Sequence, residues 1–432
     1  MQIIYVINVL LLSLISCSYY SKNIERKKHL NNTLNINNEN VTSNETDGKF
    51  TVIQLKNHKD VQYIGDIYIG YPSTKMTVIF DTGSNVLWVP SSDCPTCRKN
   101  VNKYNSKISQ TSQELNSTKS ISYAIGYVQG NFCYDTVSLN SKGNFKAKEL
   151  LFLNVKEESN LTGTVGDGVF GLGIFNEDDP QISLIETLYN QKQINEPAFS
   201  FYLLGINNIS RLFIGDILKN EYILKLFKNK IHECQVDKES LYWQCFAYNG
   251  IFISNSKNDS NKLFDSNSSF IFDSGSSYTL VPKQDFEIIL NFLNLEHNCK
   301  LNKYNELVCQ CNSENEFGNI EINFDENNKF ILKLENMIDI VPGTYKCHFQ
   351  IMKENYDLES WILGDSALRR NLMSFNLYER KISFVQNITG VIEENKIAKS
   401  KWIQRSTNIY YYILGVIIAL ICFFIIYYLF IK

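Results

Sequence analysis

The sequence has no excess of basic residues and no basic stripe. Lys and Arg number 42 against 45 Asp and Glu, a formal net charge of −3, so the electrostatic footprint that a phosphate backbone requires is missing and no nucleic-acid partner is expected. Helical periodicity is scarce as well. Over 432 residues only 182–193 and 285–295 place apolar residues at helical spacing, the latter through Phe286, Ile289, Leu290 and Leu293. Histidine is sparse, five in all, and none follows His348. The Gly364-Asp365-Ser366 stretch therefore lacks the base that a serine nucleophile needs. No second CxxC and no nearby His accompany Cys94-Pro95-Thr96-Cys97, so a disulfide or an uncommitted thiol pair fits that stretch better than a zinc site.

Long apolar runs occur only at the two ends. Residues 3–15 (IIYVINVLLLSLI) precede small residues at 16–18, the pattern of a signal peptide over 1–18. Residues 410–431 carry no charge and are long enough to cross roughly 30 Å of hydrocarbon, which predicts one transmembrane helix over 409–431. Lys396, Lys399, Lys401 and Arg405 lie before this run and only Lys432 after it, a bias opposite to positive-inside; a cleaved signal overrides it. The expectation is a single-pass type I protein of the secretory pathway or cell surface, its body lumenal or extracellular. Cys94, Cys97, Cys133, Cys234, Cys245, Cys299, Cys309, Cys311 and Cys347 fall in that body. Nine is odd, so one thiol stays unpaired or pairs outside the chain, and Cys133, with no cysteine near it in sequence, is the candidate. Sequons at Asn116, Asn160, Asn208 and Asn387 suit a secreted glycoprotein surface.

Residues 19–49 are polar and Asn-rich and cannot fold alone; they read as a short propeptide or linker. From Phe50 the chain changes to short β-branched and aromatic runs broken by Gly, Asn and Asp, the strand signature. The aromatic content, 13%, belongs to the core of such a body. An internal repeat stands out. VIFDTGSNVLWVP at 78–90 returns as FIFDSGSSYTLVP at 270–282, and each is followed 90 or 91 residues after its aspartate by an apolar-apolar-Gly triplet, Val169-Phe170-Gly171 and Ile362-Leu363-Gly364. A duplicated lobe explains both. The lobes are placed at 50–235 and 236–386, followed by a stalk over 387–408.

A strand ending in Asp-Thr/Ser-Gly-Ser can hold a carboxylate still. Gly83 and Gly275 permit a tight turn and close approach, the Ser84 and Ser276 hydroxyls can donate to carboxylate oxygens, and those of Thr82 and Ser274 can reach the partner lobe. If Asp81 and Asp273 meet, they cannot both ionise and they share a proton. One carboxylate then accepts a proton from water while its protonated partner donates to a substrate carbonyl oxygen.

The chain from about 50 to 386 resembles a pepsin-like aspartic peptidase, and the signal with a carboxy-terminal anchor resembles membrane-bound members such as beta-secretase and some plasmepsins. FDTGSNVLWVPS and FDSGSS are similar to the two family motifs, with Asp81 and Asp273 as the catalytic pair and Trp88 behind the flap; YAIGYVQG is similar to the flap hairpin, with Tyr123 as its tyrosine. GDGVFGLG and WILGDSALRRNLMSFNL resemble the loops closing each lobe, and YWQ at 242–244 a strand early in the second. The sequence departs from the family at Ala124 and Ile125, at the short Cys94/Cys97 spacing, and in the propeptide, where Lys27 and Lys28 are the only stand-ins for a dyad-capping lysine.

The resemblance implies a mainly all-β, bilobal fold and an endopeptidase that hydrolyses polypeptides through a two-Asp-activated water, without metal or cofactor and as a monomer. It implies a substrate extended in the interlobe cleft, with Ile79, Tyr123 and Val169 as the apolar wall beside the scissile bond. The rival of another class is a catalytically silent, membrane-tethered peptide-binding protein of the same fold. A third, a metal-dependent hydrolase using both aspartates, predicts chelator sensitivity and further His or carboxylate ligands.

Overall fold

Why an aspartate should end an apolar strand is answered by the pairing of Thr74–Asp81. This strand runs antiparallel to Gln62–Ile69 on one side and parallel to Gly168–Gly171 on the other, in the register Val78↔Gly168 to Asp81↔Gly171. A strand bonded on both edges and covered on both faces needs apolar side chains throughout, and Met76, Val78, Ile79 and Phe80 are all buried. Leu87–Pro90 then returns antiparallel to the same Gly168–Gly171 strand.

The second half repeats the arrangement. Ser268–Phe272 runs parallel to Ser360–Leu363 in the register Ser269↔Ser360 to Phe272↔Leu363, and Thr279–Val281 returns antiparallel to it at Leu280↔Ile362. The two apolar-Gly triplets of the sequence are thus the parallel partners of the two strands that carry Asp81 and Asp273.

The computed structural model describes residues 50–386 and 388, apart from 124–125, 162, 176–182, 206–207, 221–223, 225–226, 228–229, 255–259, 265–266, 304, 312–316, 342–343 and 354–358. Among the described residues the fold is mainly β, with one sheet of 13 strands and smaller sheets of five, four and four. Part of the large sheet is drawn from both halves: Ile231–Gln235, Lys381–Val385, Leu372–Asn376, Ala198–Tyr202, Ser210–Ile214 and Thr51–His58 lie side by side. Phe199 stacks on Phe375 at 5.0 Å and Trp243 meets Phe375 edge-on at 5.1 Å, so one aromatic cluster ties the halves together. The described residues from 50 to 386 belong to one compact unit.

Both helical expectations fall on helices. Leu184–Asn190 is capped by Ser183, whose hydroxyl accepts the Glu186 N–H at 3.0 Å, and Lys283–His297 buries Phe286, Ile289 and Leu293 on one face. Disulfides join Cys94 to Cys97, Cys234 to Cys245, Cys299 to Cys309 and Cys311 to Cys347, and Cys133 is buried and free. Asn116, Asn160 and Asn208 are exposed. The predicted signal peptide, propeptide and transmembrane helix, and the stalk apart from residue 388, lie outside the described residues, Asn387 among them. Among the described residues no helix is long and apolar enough to cross a membrane.

Candidate active site

The loops after the two aspartate strands face each other. A Cβ on Gly83 would lie 2.5 Å from Asp273 Oδ1, and one on Gly275 would strike the Asp81 carboxylate. Each glycine is therefore the space into which the other half's carboxylate projects, the close approach only glycine permits. Asp81 accepts the Gly83 N–H at 2.8 Å on Oδ1 and the Ser84 hydroxyl on Oδ2. Asp273 accepts the Gly275 N–H at 2.8 Å, and Asp81 lies close enough to raise its proton affinity.

This crowding fixes the electrostatics. Asp273 keeps some accessible surface, yet its carboxyl is pushed up to about 8, first by burial and then by the charge of Asp81, against the pull of the Gly275 and Ser276 N–H groups. Two carboxyls this close hold one proton between them.

Below the pair the halves are laced together by their next residues. The Thr82 hydroxyl donates to the Phe272 carbonyl at 2.7 Å and accepts the Ser274 N–H at 2.8 Å; the Ser274 hydroxyl donates to the Phe80 carbonyl at 2.8 Å and accepts the Thr82 N–H at 3.1 Å. Thr82 and Ser274 are both buried, so the four bonds form away from water. Ser276 departs from its expected role. Its backbone N–H donates to the Asp273 main-chain carbonyl at 3.3 Å and its hydroxyl to the Tyr278 carbonyl at 2.9 Å; Ser84 and Ser276 are not equivalent supports.

The hairpin formed by Gln113–Tyr123 and Gly126–Ser138 brings Tyr123 near Asp81. The Tyr123 phenol accepts the Trp88 indole N–H at 2.7 Å. Burial, and then the charge of Asp81, hold the phenol proton on more tightly than usual. Ile79 and Val169, opposite each other in the parallel register, share one apolar cluster with Trp88, and Tyr123 packs against it. The structure thus brings Asp81, Asp273, Thr82, Gly83, Ser84, Ser274, Gly275, Tyr123, Trp88, Ile79 and Val169 into one neighbourhood.

Sequence reasoning missed Asp365. Its N–H donates to the Ser276 carbonyl at 2.8 Å, its side chain is 1% exposed, and Oδ1 has no protein partner. Burial drives its proton affinity well up, opposed by Arg369 and reinforced by Asp273, Asp81 and Asp60. At the matching position of the first half stands Leu172, whose N–H donates to the Asp81 carbonyl. Alignment of the two Gly triplets puts Leu172 and Asp365 in register, the one signal that could have singled Asp365 out. Ser366, its neighbour, is bonded to Thr279 and to the Gln350 carbonyl.

The profile of the family described as eukaryotic aspartyl protease matches residues 62–387. The chain is 28% identical over 363 residues to pregnancy-associated glycoprotein 2 of Bos taurus, covering 83% of this chain and 90% of that protein. It is 27% identical over 340 residues to chymosin of Bos taurus, covering 76% and 82%. A segment of 170 residues is 39% identical to cyprosin of Cynara cardunculus, covering 38% of this chain and 35% of that protein.

Proposed function

The chain belongs to the eukaryotic aspartyl protease family, and on that premise we propose that it is an active aspartic endopeptidase whose catalytic pair is Asp81 and Asp273. The observation that carries this reading is the mutual approach of the two carboxyls through Gly83 and Gly275. Asp273, which holds its proton up to about pH 8, donates to the carbonyl oxygen of the scissile bond. Asp81, backed by the Ser84 hydroxyl and the Gly83 N–H, accepts a proton from the attacking water. General acid and general base are thereby supplied without a covalent intermediate.

Thr82 and Ser274 position the pair from below. Tyr123 covers it from the flap hairpin, with Trp88 behind, and Ile79 and Val169 form the apolar wall. The substrate is a polypeptide lying extended between lobes at 50–235 and 236–386. Residues 1–18 target the chain to the secretory route, 19–49 serve as propeptide or linker, 387–408 form a stalk, and 409–431 anchor a monomer with its body lumenal or extracellular. The uncharged run at 410–431 supports the anchor.

The test is cleavage of a diverse peptide library across pH. Pepstatin-sensitive cutting abolished by Asp273→Ala is the expected result. Peptide binding without any cutting would favour a silent binding protein instead.

A further inference from the structure

We infer that a cavity in the second half, beside the loop that carries Asp273, is a subsite for a lysine or arginine side chain of the polypeptide substrate. The inference rests on the peptidase reading above. The cavity, of about 280 Å³, is bordered by Tyr278, Glu306, Asp339 and His348, with Phe349 and Met352 among its apolar walls.

Its place follows from the chain. Tyr278 lies five residues after Asp273, and its carbonyl accepts the Ser276 hydroxyl. The residue between them, Ser277, donates its hydroxyl to the Val61 carbonyl in the first half. Met352 is held against the strand that follows Tyr278 by the parallel pairing Leu280↔Met352. One wall of the cavity therefore continues from the Asp273 turn, next to Ser277, whose hydroxyl reaches the first half.

The lining matches one kind of side chain. An aliphatic stem packs on Phe349 and Met352 while a cationic head reaches carboxylates, the division that lysine and arginine make between stem and head. Asp339 accepts the Gln350 amide at 2.9 Å, and Glu306 accepts the Asn302 amide at 2.6 Å with His348 Nδ1 3.7 Å away. These contacts hold both carboxylates in position at the cavity. The negative field is felt by Tyr278, whose phenol proton is held more tightly first by burial and then by the charges of Asp339 and Glu306. A neutral straight-chain residue would fill the apolar part and leave that field unanswered.

The test uses the full chain and peptide pairs that differ by lysine or norleucine at each position on either side of the cut. Lysine is expected to be preferred at one position on one side. Glu306→Gln and Asp339→Asn should each lower the lysine-to-norleucine ratio of kcat/KM by about fivefold, the scale of a partly exposed charge pair, and the double variant should bring it near one. Unfolding temperatures establish that the variants fold. An absent basic preference, or a ratio unmoved in the double variant, overturns the subsite while leaving the peptidase reading intact. If no peptide is cut, the peptidase reading fails and the same labelled pairs are compared by binding. Tighter binding of the lysine peptide, lost in the double variant, supports the subsite, and equal binding overturns it.

Discussion

Thr82 and Ser274 each donate a hydroxyl hydrogen bond to the residue before the other's aspartate and each accept the other's backbone N–H. The exchange joins the two halves at the base of the Asp81–Asp273 pair, so removing either hydroxyl strands a buried N–H and a buried carbonyl together. Thr82→Val and Ser274→Ala should each destabilise the protein by about 1–3 kcal/mol, the cost of an unsatisfied buried group. The double variant should cost less than the sum, since both substitutions break the same reciprocal set. Urea unfolding of the four proteins gives the coupling, and kcat should fall with it as the carboxyls lose their fixed spacing.

Asp273 sets a pH dependence whose sign can be worked through. Its folded-state pKa, about 8, lies above the unfolded value near 3.9, so the folded protein binds the extra proton. The stabilisation from that proton is complete below about pH 4 and is lost as pH rises toward 8. Activity that needs the shared proton should decline through the same upper limit. Asp273→Asn keeps the shape but cannot titrate, so its stability should change less between pH 4 and 8 than that of the parent. A parent and variant with parallel stability profiles would count against a proton held at Asp273.

Gly83 and Gly275 offer a geometric test of the pair. Alanine at Gly83 would place a methyl group 2.5 Å from Asp273 Oδ1, closer than such atoms approach, so the carboxyls must move apart. A displacement of about 1 Å at a reacting centre costs roughly a hundredfold in rate. Gly83→Ala should therefore lower kcat at least that far, with a smaller loss in unfolding temperature. Single-turnover kinetics separates the effect from weaker substrate binding.

Much of this site was legible because it is written twice. The repeat around Asp81 and Asp273 identified the pair, and the matched triplets at Gly171 and Gly364 proved to be the parallel partners of the aspartate strands. The helix Lys283–His297 was legible from the period of Phe286, Ile289 and Leu293. The sheet spanning both halves was not, because pairing such as Phe199↔Phe375 joins strands far apart in sequence and leaves no local pattern. Nor was the turn of the Ser276 hydroxyl toward Tyr278, which depends on which carbonyl lies within reach. Asp365 escaped for a third reason: spacing placed it after the Gly triplet, but depth made it notable, and depth belongs to the fold.

Cys133 gives a prediction independent of catalysis. It is fully buried, its sulfur 3.4 Å from the Ser112 hydroxyl, and burial pushes the thiol up. Burial both shields the sulfur and suppresses the thiolate that reacts, outweighing the Ser112 hydroxyl, which favours the thiolate. Iodoacetamide should leave Cys133 unmodified in the folded protein and label it after denaturation, while the four disulfide pairs stay unlabelled until reduced. Peptide mapping reads each site directly, and labelling of native Cys133 at the rate of a free thiol would contradict its burial.

Tyr123 tests the link between its hairpin and the aspartate pair. Its hydroxyl takes the Trp88 indole N–H at 2.7 Å and feels the charge of Asp81. Tyr123→Phe keeps the ring and its packing beside Trp88, centroids 6.4 Å apart, and removes only the oxygen that joins the two. A buried indole N–H left unpaired costs about 1–3 kcal/mol, and the hairpin loses its bond to Trp88. We expect kcat/KM to fall by about tenfold with the pH profile nearly unmoved, because the substitution withdraws a positioning bond and leaves the shared proton in place. A Tyr123→Phe enzyme as active as the parent would show that packing on Trp88 alone holds the hairpin over the pair. A displaced alkaline limit would instead tie the phenol to the proton that Asp273 carries.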